Sequence, residues 1–213
     1  MGQTRNCSIL LKKENLLLIF AKNVVLGKAK TRLAKTVGDT AAFNVYCRLV
    51  EITEQESQKL KDADIHVYFS DEPIQSLWSN EKQYVQEGAD LGIRMRNAFE
   101  EGFRQGYQHI IGIGTDLPDL NAMVMTEALN SLKNHDTVFG PSDDGGYYVI
   151  GMNKMIPEIF INKPWSTELL LETTLKEIQS LHLSTHLLPV LNDVDTIEDL
   201  RASWLIEEFE TLK

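Results

Sequence analysis

Apolar residues along this chain fall into short continuous runs, separated by longer stretches of helical period. Leu16 to Ala21 is an unbroken run of six. A run with no polar alternation reads as a strand buried on both faces, the signature of a central parallel strand. Gly38-Asp39 punctuates the chain, with Asp39 as a candidate N-cap. From Thr40 to about Lys61 the pattern predicts a helix, with Phe43, Tyr46, Cys47, Val50, Ile52 and Thr53 near one face. Asp64 to Ser70 alternates and is rich in β-branched and aromatic residues, so it predicts a second strand. Residues 71–80 read as a loop or short helix around Trp78, and Tyr84 to Gln86 as a short strand. A helix then runs to about Gln105, with Leu91, Met95, Ala98, Phe99 and Phe103 facing the core. His109 to Ile111 predicts a strand, Ala122 to Lys133 a helix, and Thr137 to Gly140 and Val149 to Gly151 two more strands. Ser166 or Thr167 would cap a helix over Glu168 to Leu181, and Thr185 to Val190 is the last strand. Thr196 with Asp199 resembles a capping box opening a terminal helix, Ile197 to Leu212.

Strands alternating with helices predict an α/β fold: a three-layer α/β/α sandwich over a mostly parallel, mixed sheet. The strand after Asp144-Gly145-Gly146 is the candidate for running antiparallel. The chain of 213 residues suits one domain over residues 16–213, after a polar N-terminal arm at residues 1–15. The net charge of −10 argues against a general nucleic-acid surface and against anionic membranes. No apolar run approaches a membrane span, and no secretory leader is expected. Cys7 and Cys47 have no paired spacing, so neither a disulfide framework nor a zinc knuckle is expected. The expected compartment is the cytoplasm.

Against that acidity, Lys22, Lys28, Lys30, Arg32 and Lys35 crowd one segment after the first strand, with Gly27 among them. Clustered cations beside a flexible Gly suit a phosphate-bearing ligand, although solvated basic loops are also common. The segment is not a Walker A, because Lys22 stands at the early Gly position and Ala29 follows Lys28. Gly112-Ile113-Gly114 lacks the third Gly of a dinucleotide fingerprint. The next feature is Gly114-Thr115-Asp116, where a buried strand ends in small residues and an acid. Open α/β sheets bind ligands outside the carboxyl ends of their strands, so Asp116 would stand at that lip, or else cap the next helix. Asp193 and Asp195 form a second acidic lip. One residue apart in extended chain, they point the same way and could face Asp116. Asp143-Asp144-Gly145-Gly146 reads as a tight turn that lets backbone approach a ligand, or as an ordinary hairpin turn. Asp90 suits a helix N-terminus and could also touch a base or sugar. His66 is read as a satisfied strand residue, and His182 and His186 as no metal pair.

Taken together, these motifs resemble a known family. They are Lys28-x-Lys30-Thr31-Arg32-Leu33, Asp90-Leu91-Gly92-x-Arg94-Met95, Gly114-Thr115-Asp116-x-Pro118, Asp144-Gly145-Gly146-Tyr147-Tyr148 and Asp193-x-Asp195-Thr196-x-x-Asp199-Leu200. The set is similar to the GT-A-fold radical-SAM/selenodomain-associated glycosyltransferases. These are distant relatives of the phospholactate guanylyltransferases and the molybdenum-cofactor nucleotidyltransferases. The resemblance runs from Leu16 to Leu212. It implies a nucleotide-diphospho-sugar transferase fold, with a nucleotide over the first strand's loop. That loop usually carries prolines around its Gly, whereas this chain has Asn23-Val24-Val25-Leu26-Gly27.

Transfer from a nucleotide needs cations on the phosphates, a metal bridging them and a positioned acceptor. Gly27, Lys28, Lys30, Thr31, Arg32, Asp90 and Thr115 are the candidate nucleotide and phosphate contacts. Lys30, Arg32 and Asp116 would carry the chemistry. Mg²⁺ or Mn²⁺ would be held by Asp116 and Asp195 with Asp193 in reserve, once substrate phosphates complete its shell. Asp144, Gly145 and Gly146 would meet the acceptor or sugar. The donor is expected to be a nucleotide sugar or a nucleoside triphosphate, and the acceptor a small molecule. A non-catalytic nucleotide-binding or regulatory module would keep the same parts.

Overall fold

Six apolar residues in a row need cover on both sides, and β1 (Asn15–Ala21) has it: Leu16, Leu17, Leu18 and Ile19 are fully buried. A computed structural model of the chain describes residues 13–212. Most of the expected N-terminal arm, with Cys7, lies outside the described residues. In chain order the elements that follow are α1 (Thr31–Val37), α2 (Asp39–Ser57), β2 (Ala63–Phe69), β3 (Lys82–Val85), α3 (Leu91–Arg104) and β4 (His109–Ile113). Then come α4 (Ala122–Ser131), β5 (Thr137–Pro141), β6 (Tyr147–Met152), α5 (Leu170–Ser180), β7 (Thr185–Leu187) and α6 (Ile197–Ala202).

The seven strands form one sheet in the order β3-β2-β1-β4-β6-β5-β7. β1 runs parallel to β2 and β4, with Leu17 opposite Ile65 on one side and Ile111 on the other. β6 alone runs antiparallel to its neighbours β4 and β5. Alternate residues of β1 feed two cores. Leu17, Ile19 and Ala21 pack with Tyr46 and Val50 of α2 and Met125 and Leu129 of α4. Leu16 and Leu18 pack with Met95 and Phe99 of α3 and Ile178 of α5. A third cluster joins α1, α2 and α6 through Leu33, Leu49 and Leu200. The result is a mixed sheet between two helical layers.

Several boundaries differ from the sequence reading. Thr31–Val37 is a helix rather than part of the basic loop. Gly38 caps α2 and Asp39 opens its first turn, so Asp39 is not the cap. Leu91 is exposed rather than packed in the core. Leu169 caps α5, since Ser166 is held at φ +62° and the Thr167 hydroxyl is turned back to Pro164 O (2.8 Å). β7 stops at Leu187, two residues before Pro189 removes a ladder donor. The terminal helix breaks at Ser203 into 3₁₀ turns over Trp204–Glu208 and Glu210–Leu212. Among the described residues no helix is long and apolar enough to cross a membrane.

Candidate active site

Because β1, β4 and β5 point the same way, the loops after them and the turn into β6 gather at one end of the sheet. The loop after β1 is pinned at its start. Asn23, 9 % exposed, donates to Glu72 O (2.8 Å) and accepts from the Asp71 amide (2.9 Å). Gly27 makes the bend at φ +77°. Lys30 is then held at φ +51°, a left-handed conformation uncommon for a side chain this large, while its carbonyl starts α1. That geometry goes with a Lys30 side chain that is only 4 % exposed.

Lys30 Nζ lies 2.6 Å from Asp116 Oδ1 and 2.9 Å from Asp195 Oδ1. Arg32, 67 % exposed, reaches Asp195 Oδ2 at 2.5 Å. The two acidic lips read from the sequence are therefore brought together, with an ammonium between them. The Val194 amide donates to Asp116 O (3.0 Å), which locks the second lip onto the first. The capping box holds it from behind: Thr196 Oγ1 accepts from the Asp199 amide (3.2 Å), and the Asp199 carboxylate accepts from the Asp195 amide (3.1 Å). Tyr46 ties the two loops from α2. Its hydroxyl donates to Lys22 O (3.0 Å) and lies 3.1 Å from Thr115 Oγ1.

Burial pulls the Lys30 pKa down, but the charges of Asp116 and Asp195 more than offset it, and it lies above its ordinary value. Burial would likewise raise Asp195, yet Lys30 and Arg32 hold its carboxyl below the usual range. Asp193 fares differently. Burial, with Asp195 crowding it and Asp144 and Asp116 adding to the repulsion, pushes its carboxyl up to about 6 despite Lys30. Burial, reinforced by the charge of Asp116, pushes the Tyr46 hydroxyl up to about 12, so it stays protonated as a clamp.

Two clefts open over this cluster. The smaller, about 170 Å³, is lined by Lys22, Lys28, Lys30, Thr31, Arg32 and the two aspartates Asp116 and Asp195. The larger, about 310 Å³, shares Lys22 and Asp116 with it and adds Asp144 and Asp193. Its walls include Phe20, Leu91, Met95, Tyr147 and Trp165. Asp144 stands on the β5–β6 turn. Its Oδ1 accepts from the Gly146 amide (2.9 Å) and the Ser142 hydroxyl (2.5 Å). Gly145, at φ +81°, packs so closely that an added Cβ would lie 2.1 Å from Glu168 O.

Not every sequence-predicted residue lines a cleft. Asp90 accepts from the Ile93 amide (2.9 Å) as the N-cap of α3, and its neighbour Leu91 faces the cleft instead. Gly27 shapes the loop without lining either space, and Thr115 is buried against Tyr46. Asp116 and Asp195 enclose Lys30 rather than an open metal position. Among the described residues no three His, Cys, Asp or Glu are arranged to hold a metal by themselves. Sequence reasoning missed Gln86, whose amide donates to Ala21 O (3.2 Å) and Tyr68 O (2.9 Å) at the cleft edge. It also missed Trp165. An aromatic residue among Pro164, Ser166 and Thr167, in a stretch that is otherwise polar loop, was the available signal.

The family model described as "Uncharacterized protein conserved in bacteria (DUF2064)" matches residues 51–167. The chain belongs to the DUF2064 family. The matched segment of this DUF2064 protein carries Asp90, Asp116 and Asp144, while the basic loop and Asp193-x-Asp195 flank it. No curated protein matches the chain. Among solved structures, the "putative nucleotide-diphospho-sugar transferase" of Desulfovibrio desulfuricans G20 is 30 % identical. The match covers 94 % of this chain and 97 % of that one, with a TM-score of 0.86. A cytidylyltransferase from Leptospira borgpetersenii serovar Hardjo-bovis (strain JB197) is 12 % identical with a TM-score of 0.57, covering 94 % and 97 %. CMP:2-keto-3-deoxy-manno-octonic acid synthetase in complex with CTP is 10 % identical with a TM-score of 0.57, covering 92 % and 99 %. The fold is that of the nucleotide-diphospho-sugar transferases.

Proposed function

We propose that this DUF2064 protein is a divalent-metal-dependent transferase. It takes a nucleotide sugar or a nucleoside triphosphate and moves a glycosyl or nucleotidyl group to a small acceptor. The observation that carries this reading is the adjacency of the two clefts. One is lined by cations and the other by acids and aromatic rings, with Asp116 on their shared edge. The named likeness to a nucleotide-diphospho-sugar transferase at 30 % identity supports the same class.

In this reading Lys22, Lys28 and Arg32 bind the donor phosphates by charge-assisted hydrogen bonds. Lys30 stays buried and fixes Asp116 and Asp195. The acid cluster suits a divalent cation, because burial and the repulsion of Asp195, Asp144 and Asp116 at Asp193 together outweigh what Lys30 offsets. The residues that would hold it are Asp193 and the outer oxygen of Asp116, with donor phosphates filling the shell. When bound, the cation neutralises charge on the leaving phosphate. The acceptor enters the larger cleft. In glycosyl transfer its oxygen bonds to the sugar carbon and a nucleoside diphosphate leaves with the electron pair. In nucleotidyl transfer it bonds to the α-phosphorus and diphosphate leaves.

The test is product analysis. Purified protein with Mg²⁺, a nucleotide panel and an acceptor mixture is expected to release nucleoside diphosphate or diphosphate. Asp116→Asn is expected to lower turnover by about a hundredfold, the scale of losing one preorganised charge-stabilising group. Tight nucleotide binding without any cleavage would instead indicate a binding module.

A further inference from the structure

We infer that the acceptor is an uncharged hydroxyl compound with a flat apolar face, and not a phosphate ester or a carboxylate. This rests on the transferase reading above and names its second substrate class. Beyond Asp116, the larger cleft runs toward Ser142, Asp144, Trp165, Thr167 and Leu170. Among the described residues, Lys22 is the one cation lining this cleft, and it lies on the border with the phosphate side. Lys30 and Arg32 line the other cleft, where they meet Asp116 and Asp195, and do not line this one. At that far end an anionic acceptor would meet Asp144, which makes no ion pair among the described residues, and like-charge juxtaposition is strongly unfavourable.

The walls point to the other half of the acceptor. Trp165 packs edge-on to Tyr147 at 6.4 Å, and Tyr147 to Phe139 at 5.2 Å, so the aromatic side is braced rather than loose. The rim continues the apolar surface through exposed Leu91. A flat ring or short hydrocarbon placed there buries apolar area on both partners. The opposite side offers acceptors: Asp144 uses Oδ1 within its own turn, and no protein group bonds its Oδ2 among the contacts of that turn. The turn is fixed from below by the Leu171 amide donating to Gly145 O (3.0 Å). A hydroxyl can donate to such an oxygen, whereas an ionised phosphate oxygen or carboxylate only accepts.

Phenyl β-glucoside and its 6-phosphate form a pair that share ring and aglycone and differ by one anionic phosphoryl group. Each is titrated into the intact protein while the Trp165 indole resonance, assigned with Trp165→Phe, is followed by NMR. The glucoside is expected to shift that resonance saturably, and the 6-phosphate to bind at least about tenfold more weakly. Asp144→Asn is expected to narrow the gap between the two. Equal or tighter binding of the 6-phosphate overturns the inference, and so does a Trp165 resonance that neither compound moves. Nucleotide binding, read on the same samples, reports separately on the transferase assignment.

Discussion

At the scale of single residues the site is an arrangement of charges whose pairing decides what each does. Lys30 is buried between two carboxylates, and removing one member of such a set leaves uncompensated charge. Lys30→Met is expected to destabilise the fold by about 2–4 kcal/mol in urea unfolding. That range is somewhat below a fully buried pair because both aspartates are partly exposed. A loss under about 0.5 kcal/mol would mean the triad is not formed. Arg32 is largely exposed, so Arg32→Ala is expected to cost under about 1 kcal/mol of stability. The same change is expected to weaken nucleotide binding by about 1.5–3 kcal/mol by calorimetry, because the hydrogen bonds proposed from Arg32 to phosphate would be charge-assisted. Asp193 works against the fold. Its folded carboxyl titrates at about 6 against an ordinary 3.8, so the folded state holds that proton more tightly. Its contribution to stability falls as pH rises from about 4 to about 6 and stays lowered above that. Asp193→Asn is expected to gain roughly 1–3 kcal/mol at pH 7 and little at pH 4. Equal gains at both pH values would remove the electrostatic explanation.

At the scale of elements, the chain was most legible where one physical rule dominated. The run Leu16–Ala21 reads as a doubly covered strand, and it is an interior strand of the sheet, paired on both sides. The Thr196–Asp199 box and the antiparallel strand after the Gly-Gly turn were readable for the same reason: each is local chemistry. What was not legible depended on distant contacts. Helix α1 hides within a basic stretch because Leu33 alone of its residues is fully buried, against α2 and α6. Tyr46 looked like an ordinary core position on α2, and only the fold brings its hydroxyl to Lys22 and Thr115. Lys30 could be listed among five cations, but nothing local distinguished the one that turns inward. The β5–β6 turn shows how an element places the site. Gly145→Ala would force a Cβ against Glu168 O at an unfavourable φ, and is expected to cost about 2–4 kcal/mol in thermal unfolding. A near-neutral effect would show that the turn and the loop before α5 are not packed as described.

At the scale of the whole molecule, an acidic protein concentrates its few clustered cations over the ends of β1 and β4, where they face carboxylates from the far end of the chain. Residues 30 and 195 meet because β1 and β4 are adjacent and the segment before α6 is hydrogen-bonded to Asp116. In the proposed function these cations and acids are two halves of one site, which a nucleotide and a divalent cation complete together. The most direct measurement is the melting temperature with the best nucleotide of a broad panel at about a hundred times its dissociation constant, in Mg²⁺ and in EDTA. Saturation of that kind stabilises the folded state by roughly 2.7 kcal/mol. For a chain of this length that is a rise of about 5–10 °C. That rise is expected in Mg²⁺, with most of it lost in EDTA and in Asp116→Asn. An equal rise with and without the metal, or none with any nucleotide, would contradict the proposed function.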